Sequence, residues 1–372
     1  PGTGKTYSGA KLASDVTDRG GRVGITALSH DATVNFLAEL AKQRDGDVAG
    51  VKFGSKGAKH PVFSECPNLE VKSSATSYQI PEDPGLVFAG TGWVFSRPEW
   101  TGQLDVLFID EAGQLPLADV VAVARSARNI VLLGDQRQLE QPSQAVHPGR
   151  SGWSALEYLL DGRPTIARGE GVFLAETRRL RPEVCAVVSD LFYEGRLRSH
   201  ESAQEFRLGG VDSLKDIPAP AGVHFVPTPH DGNTQSSEEE VDRIEALVKS
   251  LMRSTRVAHG NRPLSREDIL IMAPYNMQVR HLEQRLPEFR VGTVDRFQGQ
   301  EAEIILFSLC SSFGEYGSRG LDFLLNPRRL NVALSRARCL ALVVGDPRII
   351  ETTPTNISLM RQLSAFARIT GG

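Results

Sequence analysis

Short, continuous apolar runs separated by turn residues recur along the chain. RVGITALS (22–29), GLVFAG (85–90), LDVLFID (104–110) and NIVLLGD (129–135) lack polar alternation, the pattern of strands buried on both faces. Helical stretches at 32–42 and 117–128 separate some of them. A second series begins near Gly171: GVHFVPT (222–228), DILIMAPY (268–275), FRVGTV (289–294), EIILFSLC (303–310) and CLALVVGD (339–346), with helical stretches at 238–254, 276–286 and 327–338. Strands alternating with helices predict parallel sheets covered on both faces, an α/β fold. Two such series, divided at DGRPTIARGE (161–170), predict two domains of similar kind, 1–165 and 166–372. Segment 43–84 breaks the rhythm. It is polar, carries Lys52, Lys56, Lys59 and Lys72, and reads as a small insertion on the sheet or a long loop. Segment 199–220 reads as a loop or a short excursion.

Composition narrows the picture. The 372 residues are 40% hydrophobic and 23% charged, enough for two domains, with a net charge of −3. That balance excludes a uniformly basic nucleic-acid coat and an acidic disordered chain. Residues 1–165 hold 16 basic and 19 acidic side chains, and residues 166–372 hold 26 of each. Any strand binding must therefore be local. In the second half 24 of the 26 basic residues are arginine, the side chain suited to forked contacts with phosphate. There is no membrane-length apolar run and no secretory h-region. Cys66, Cys185, Cys310 and Cys339 are far apart and make no metal-ligand spacing, so a reducing, cytoplasmic setting is expected.

The chemistry starts at the first residue. PGTGKT supplies the end of the phosphate-binding pattern G-x-x-x-x-G-K-[ST], whose first glycine would lie two residues before Pro1. The chain is thus expected to be a piece of something longer, lacking the strand that feeds the loop. Gly2 and Gly4, with Thr3 between them, let backbone N–H groups approach phosphate oxygens. Lys5 would reach the β- and γ-phosphates, Thr6 would ligate Mg²⁺, and a helix should follow with its N-terminus facing the anion. Six residues also fit a plain glycine-rich turn before a helix.

Asp110-Glu111 follows directly on LDVLFI, at the strand end where open α/β sheets place ligands. Asp110 can hold Mg²⁺, and Glu111 can accept a proton from attacking water. In GDQRQLEQ (134–141), Gln138 is the candidate to sense the γ-phosphate, although the stretch alone also fits a strand followed by a polar turn. Three arginine-bearing segments follow: TRRLRP (177–182), GTVDRFQGQE (292–301) and RRLNVALSRAR (328–338). In the last, Leu330, Val332, Ala333 and Ala337 fit a buried helical stripe. Arg329 and Arg336, seven apart, would then point together into a cleft, while Arg328 and Arg338 read as a solvated face.

The motifs in this order resemble the superfamily 1 helicases, and within them the up-frameshift and nuclease-helicase subgroup. VDRFQGQE and RLNVALSRAR are the most specific parts. LDFLLNP, EGRLRS and SHDATVNFL make the chain most similar to bacterial proteins that join a RecB-like nuclease to such a helicase. The resemblance implies two RecA-like P-loop domains, with ATP between them and a nucleic-acid strand across their top. It assigns Lys5 and Thr6 to phosphate and Mg²⁺, Asp110 to Mg²⁺ and Glu111 to the hydrolytic base. Gln138 couples the γ-phosphate to the strand, Arg179 and Arg336 are arginine fingers, and Gly299 and Glu301 lie near the γ-phosphate. For the strand it implies Ser29, His30, Asn35, Thr91, Trp93, Thr293, Pro274 and Tyr275.

Two departures stand out. The aromatic that often precedes the first finger is Arg178 here, whose planar guanidinium can stack on adenine instead. The histidine common before Pro182 is Arg181, with no role readable from the sequence. The implied activity is an ATP-dependent helicase or translocase moving 5′→3′ on single-stranded DNA. An RNA helicase, an ATP-gated clamp without unwinding, or another P-loop NTPase share some or all of the motifs.

Overall fold

The computed structural model describes residues 1–139, 148–211, 214, 217–314 and 320–371. Glu140 and Gln141, the tail of the GDQRQLEQ segment, lie outside the described residues. The chain divides into two compact units. One is Gly4–Val172, and the other is Phe173–Gly372 together with Pro1–Thr3.

The first unit runs α1 (Lys5–Asp18), β1 (Val23–Thr26), α2 (His30–Gln43), β2 (Gly50–Phe53), α3 (Val62–Glu65), β3 (Leu69–Lys72), β4 (Val87–Gly90), α4 (Gly92–Phe95), β5 (Leu104–Ile109), α5 (Leu117–Ala124), β6 (Ala127–Leu132) and α6 (Ala155–Leu160). Its six strands form one parallel sheet in the order β3-β2-β4-β1-β5-β6. Alternate residues divide between two cores. Val23, Ile25, Val87, Ala89 and Phe108 face Ala10, Ala13, Phe36, Leu37 and Leu40 of α1 and α2. Phe53, Phe88, Leu107 and Ile109 pack with Val94, Phe95, Trp100, Val120 and Val123 on the other face. Trp100 is 1% exposed and meets Phe53, Phe88 and Phe95 edge-on at 5.7, 5.1 and 5.3 Å.

Segment 43–84 is neither an insertion nor a loop: it supplies β2 and β3, two strands of the main sheet. Lys52 hid β2 from the periodicity. Its ammonium is fully buried and donates to the carbonyls of Gly54, at 2.5 Å, and Lys56, so a charged residue sits inside an otherwise apolar strand.

The second unit runs β7 (Glu176–Thr177), α7 (Pro182–Phe192), β8 (Arg198–Ser199), β9 (Leu208–Gly209), β10 (Gly222–Pro227), α8 (Glu238–Ser254), β11 (Arg256–Val257), β12 (Arg262–Pro263), β13 (Ile269–Ala273), α9 (Asn276–Arg285), β14 (Arg290–Thr293), β15 (Ala302–Ser308), α10 (Gly320–Leu324), α11 (Pro327–Leu334), β16 (Ala337–Gly345) and α12 (Ile357–Thr370). Its main sheet, β10-β16-β15-β13-β14, is parallel throughout. Ile269, Ile271, Ile304, Leu306, Leu340 and Leu342 join Val241, Ile244, Leu247 and Leu251 of α8 in one core. On the opposite face Phe225 of β10 meets Phe366 of α12 edge-on at 5.7 Å. Both sheets are thus mainly parallel and flanked by helices, the RecA-like α/β architecture.

The helix expected over 327–338 is shorter. Asn326 caps α11, accepting from the N–H groups of Arg328 and Arg329, and Ser335 ends it. Arg336 then lies in a turn, and Ala337 opens β16. Arg329 and Arg336 therefore do not share a helical line: Arg329 pairs with Asp295 at 2.8 Å. Arg338 is on a strand and partly buried rather than on a solvated helix face. A sequence rich in Leu, Val and Ala up to Ser335 suits a helix. What stops it is the pairing of Ala337 with Ala302 in the sheet, a tertiary event.

Candidate functional site

Gly4 sits in the left-handed region at φ 73° and precedes α1 without any side-chain cap. The first N–H groups of a 14-residue helix are thereby left to an anion. Lys5 and Thr6 follow, half-buried. Gly2 and Thr3 belong to the other unit, where the Gly2 carbonyl accepts the Arg178 N–H at 2.9 Å. A Cβ at Gly2 would come within 2.5 Å of the Arg179 Cβ, so glycine is required there.

Asp110 ends β5 and is 5% exposed. Its Oδ2 accepts from the Thr6 hydroxyl at 3.2 Å and its Oδ1 from the Glu111 N–H at 2.9 Å. Burial, followed by the neighbouring Glu111 carboxylate, pushes the Asp110 pKa up to about 6; the Glu111 N–H, Lys5 and Thr6 pull the other way. Glu111 adopts φ 54°, a left-handed backbone that costs a non-glycine residue roughly 1 kcal/mol or more. Its Oε2 accepts from Gln114 Nε2 at 3.2 Å. The turns after β5 and β6 approach closely, backbone to backbone, at Gly113 and Gly134. A Cβ at Gly134 would meet the Gly113 nitrogen at 2.7 Å, and one at Gly113 the Asp135 oxygen at 2.6 Å. Asp135 then accepts from the Arg137 N–H at 3.0 Å and from Gln138 Nε2 at 2.8 Å, which fixes the buried Gln138.

Two hard oxygens, of Thr6 and Asp110, 3.2 Å apart beside a lysine, fit Mg²⁺. Among the described residues no group of three or more His, Cys, Asp or Glu could hold a metal ion. Mg²⁺ commonly takes only one or two protein oxygens and completes its shell with phosphate and water. A bound cation would also relieve the buried Asp110 charge.

The sign of the Asp110 shift gives a test. A carboxyl whose folded pKa exceeds its unfolded value binds more protons folded, so stability falls as pH rises from about 4 to about 6. The rise from 3.8 to about 6 corresponds to roughly 3 kcal/mol. Without nucleotide or Mg²⁺, Asp110→Asn should unfold at a higher temperature than wild type at pH 7–8. The gap should close near pH 4. Thermal unfolding at several pH values reads this directly, and equal melting temperatures at pH 8 would contradict the assignment.

The nucleic-acid-strand residues expected in the first unit follow β1 and β4, in the turns after them or on the helices α2 and α4. Ser29 caps α2, its Oγ accepting from the Ala32 N–H at 3.1 Å. His30 is half-buried, its ring against Gly54. Burial, then Lys52 and Lys56, lower its pKa, so His30 is a neutral ring rather than a phosphate cation. Asn35 is exposed on α2 and lines an open recess with Asp31, Lys59 and His60. Thr91 is half-buried before α4, and Trp93 on α4 is 84% exposed. The two neighbouring tryptophans thus part company: Trp100 serves the core and Trp93 does not.

In the second unit Thr293 is half-buried at the end of β14. Pro274 and Tyr275 follow directly on β13. Both are buried, with Tyr275 6% exposed against the Phe323 ring, because they lead from the central strand β13 into α9. Gly299 has φ 83° with open space where a Cβ would be. The segment after it organises the arginines. Arg336 is 2% exposed and donates through Nη1 to the Gln300 carbonyl at 3.4 Å, while its own carbonyl accepts the Ala302 N–H at 3.1 Å. Arg179 donates through Nε to Glu301. Arg178 is exposed. Arg181, without a role in the sequence reading, pairs with Glu183 at 2.6 and 2.9 Å and donates to the Phe206 carbonyl at 2.8 Å, tying the start of α7 to the 206 loop.

Sequence reasoning missed Arg338 and Glu303. Ala302 pairs with Ala337 and Ile304 with Leu340, and the register shift between these pairs brings Arg338 and Cys339 beside Glu303. Strand alternation running back from CLALVVG gave no signal for this contact, because the register shift interrupts it.

A family profile described as "AAA domain" matches residues 154–348, more than half of the chain, and a second of the same description matches residues 1–151. The mov-10-B.1 protein of Danio rerio is 27% identical over 95% of this chain and 39% of its own length. "DNA replication ATP-dependent helicase/nuclease DNA2" of Bos taurus is 26% identical over 98% and 36%. "Regulator of nonsense transcripts 1 homolog" of Drosophila melanogaster is 30% identical over 94% and 33%. The chain spans between 33% and 39% of the length of these relatives. Two parallel sheets, a carboxylate pair at the end of β5 facing a GKT loop, and these matches in motif order agree: the chain belongs to the AAA-domain family and, within it, to the superfamily 1 helicases.

Proposed function

We propose that this chain hydrolyses ATP to move along and unwind a nucleic-acid strand. The observation that carries the reading is the Asp110 carboxylate bonded to the Thr6 hydroxyl at 3.2 Å, with Glu111 beside it in a strained backbone. Lys5 and the free N–H groups of α1 bind the β- and γ-phosphates. Thr6 and Asp110 hold Mg²⁺, which when bound neutralises phosphate charge. Glu111 takes the proton of the attacking water, and its left-handed backbone, braced by Gln114, aims the carboxylate. Gln138, fixed by Asp135, senses the γ-phosphate. Arg179 and Arg336 supply positive charge to the transferring phosphoryl group, next to Gly299 and Glu301. The exposed Arg178 covers the adenine. The decisive measurement is ATP hydrolysis with and without single strands, followed by strand displacement. Hydrolysis stimulated by strands without displacement or movement supports the clamp instead.

Strand contacts fall to Trp93, Thr91, Ser29, His30, Asn35 and Thr293. Trp93→Ala should weaken single-strand binding by about tenfold, from the loss of about 1–3 kcal/mol of base stacking. Hydrolysis without a strand should stay near wild type. Fluorescence anisotropy with labelled oligonucleotides checks it, and unchanged affinity would make Trp93 a surface residue only.

DNA is the favoured strand and 5′→3′ the favoured direction, on the subgroup resemblance and the likeness to a protein named for DNA replication. RNA competes, and matched DNA and RNA oligonucleotides in the same assay separate the two. Four buried, unpaired cysteines suit a reducing compartment, and we place the protein in the cytoplasm. Among the described residues no helix is long and apolar enough to cross a membrane.

A further inference from the structure

We propose that Arg338 is a positioning residue that anchors Glu301 and, through it, presents the Arg179 guanidinium to the transferring phosphate. This role rests on the ATP-hydrolase reading above.

Arg179 is engaged on one side only. Its Nε donates to Glu301 Oε2, and among the described residues its terminal nitrogens hold no other hydrogen bond. A guanidinium gripped through Nε keeps its Nη edge for phosphate oxygens. Glu301 is engaged on both sides. Its second oxygen, Oε1, accepts from Arg338 Nε at 3.1 Å and also from Arg338 Nη2. The third nitrogen of Arg338, Nη1, reaches Glu303 Oε1 at 3.2 Å. Glu303 is 3% exposed and accepts from Cys339 Sγ at 3.3 Å, with His259 Nε2 3.5 Å away. The Phe206 ring lies under the Arg338 guanidinium at 5.2 Å, and the Arg338 carbonyl accepts the Arg181 N–H at 3.0 Å.

The result is an alternating chain, Arg179–Glu301–Arg338–Glu303, whose inner end is buried and whose outer end is the finger. Burial pushes the Glu301 carboxyl up, but Arg179 and Arg338 outweigh it and hold the group below the usual carboxylate range. Without Arg338, Glu301 keeps a single partner and its free oxygen can turn to water, since the side chain is 32% exposed. Arg179 would then hang from a mobile carboxylate. Only an arginine fork can join both carboxylates and lie on Phe206 at once.

The test is a double-mutant cycle on strand-stimulated ATP hydrolysis by the whole chain. Arg338→Gln should lower kcat by about tenfold or more, with the KM for ATP moving by less than about threefold. Arg338→Lys, which restores the charge but not the fork, should recover part of the loss. In an Arg179→Ala background, Arg338→Gln should cost less than about a further twofold, because its effect passes through Arg179. Losses that multiply in full, or a kcat that is unchanged or raised, overturn the role. If Arg338→Gln does not fold by circular dichroism, Arg338→Lys takes its place in the cycle, with the same criterion of non-additivity. A wild-type chain that hydrolyses no ATP overturns the ATP-hydrolase reading and this role with it. An active wild type with multiplying losses overturns this role alone.

Discussion

Glu111→Gln should bind ATP as tightly as wild type and lose about a thousandfold in kcat. General-base catalysis by a positioned carboxylate contributes typically about 10²–10⁴-fold, and Glu111 is placed by two independent features. Its left-handed backbone follows from its place just after β5, and its Oε2 is held by Gln114 at 3.2 Å. Glutamine keeps the size, the backbone and one acceptor oxygen but cannot take a proton. On the proposed reading, ATP affinity rests on Lys5, Thr6 and the start of α1, which the change does not touch. Single-turnover hydrolysis beside equilibrium ATP binding separates the two effects. Wild-type turnover in this variant would move the base elsewhere. A variant that also lost ATP binding would show that Glu111 shapes the pocket rather than the chemistry.

The second large effect is expected at Arg336. Arg336→Ala should reduce kcat by about 10³–10⁵-fold, the range for removing an arginine finger. The structure gives the reason for its precision. Arg336 sits in the turn between α11 and β16, 2% exposed, and both its side chain and its carbonyl are fixed by segment 300–302. Glu301, in the same segment, holds Arg179. One short stretch after Gly299 thus sets both proposed fingers. Because Arg336 is buried, Arg336→Lys is the control: it keeps the charge, loses the fork and should remain strongly impaired. Steady-state hydrolysis, with ATP and strand binding measured on the same preparations, checks the result. Retained turnover in either variant would remove Arg336 from the reaction.

Much of this was legible in the chain itself. The apolar runs located the central strands because a parallel sheet covered on both faces demands unbroken hydrophobic segments. The GKT loop and the Asp-Glu pair at a strand end were legible because phosphate and Mg²⁺ call for particular atoms, and few residue types supply them. The rest failed for identifiable reasons. Strand β2 was hidden because burying the Lys52 ammonium depends on the Gly54 and Lys56 carbonyls, which only the folded loop brings to it. Helix α11 was overextended because its propensity continues past the point where sheet pairing with Ala302 ends it. The packing of Tyr275 against Phe323 was not legible either, because no local pattern brings the two rings together.

The sequence by itself determined the kind of fold and the family, because periodicity and short motifs are local properties. Tertiary structure decided which side chains are paired, buried or offered to solvent. It alone separates Trp93 from Trp100, turns Arg338 from a solvated charge into an anchor, and lifts the Asp110 pKa. Each of those depends on groups far apart in sequence, which only the sheet register and the strand-end turns bring together.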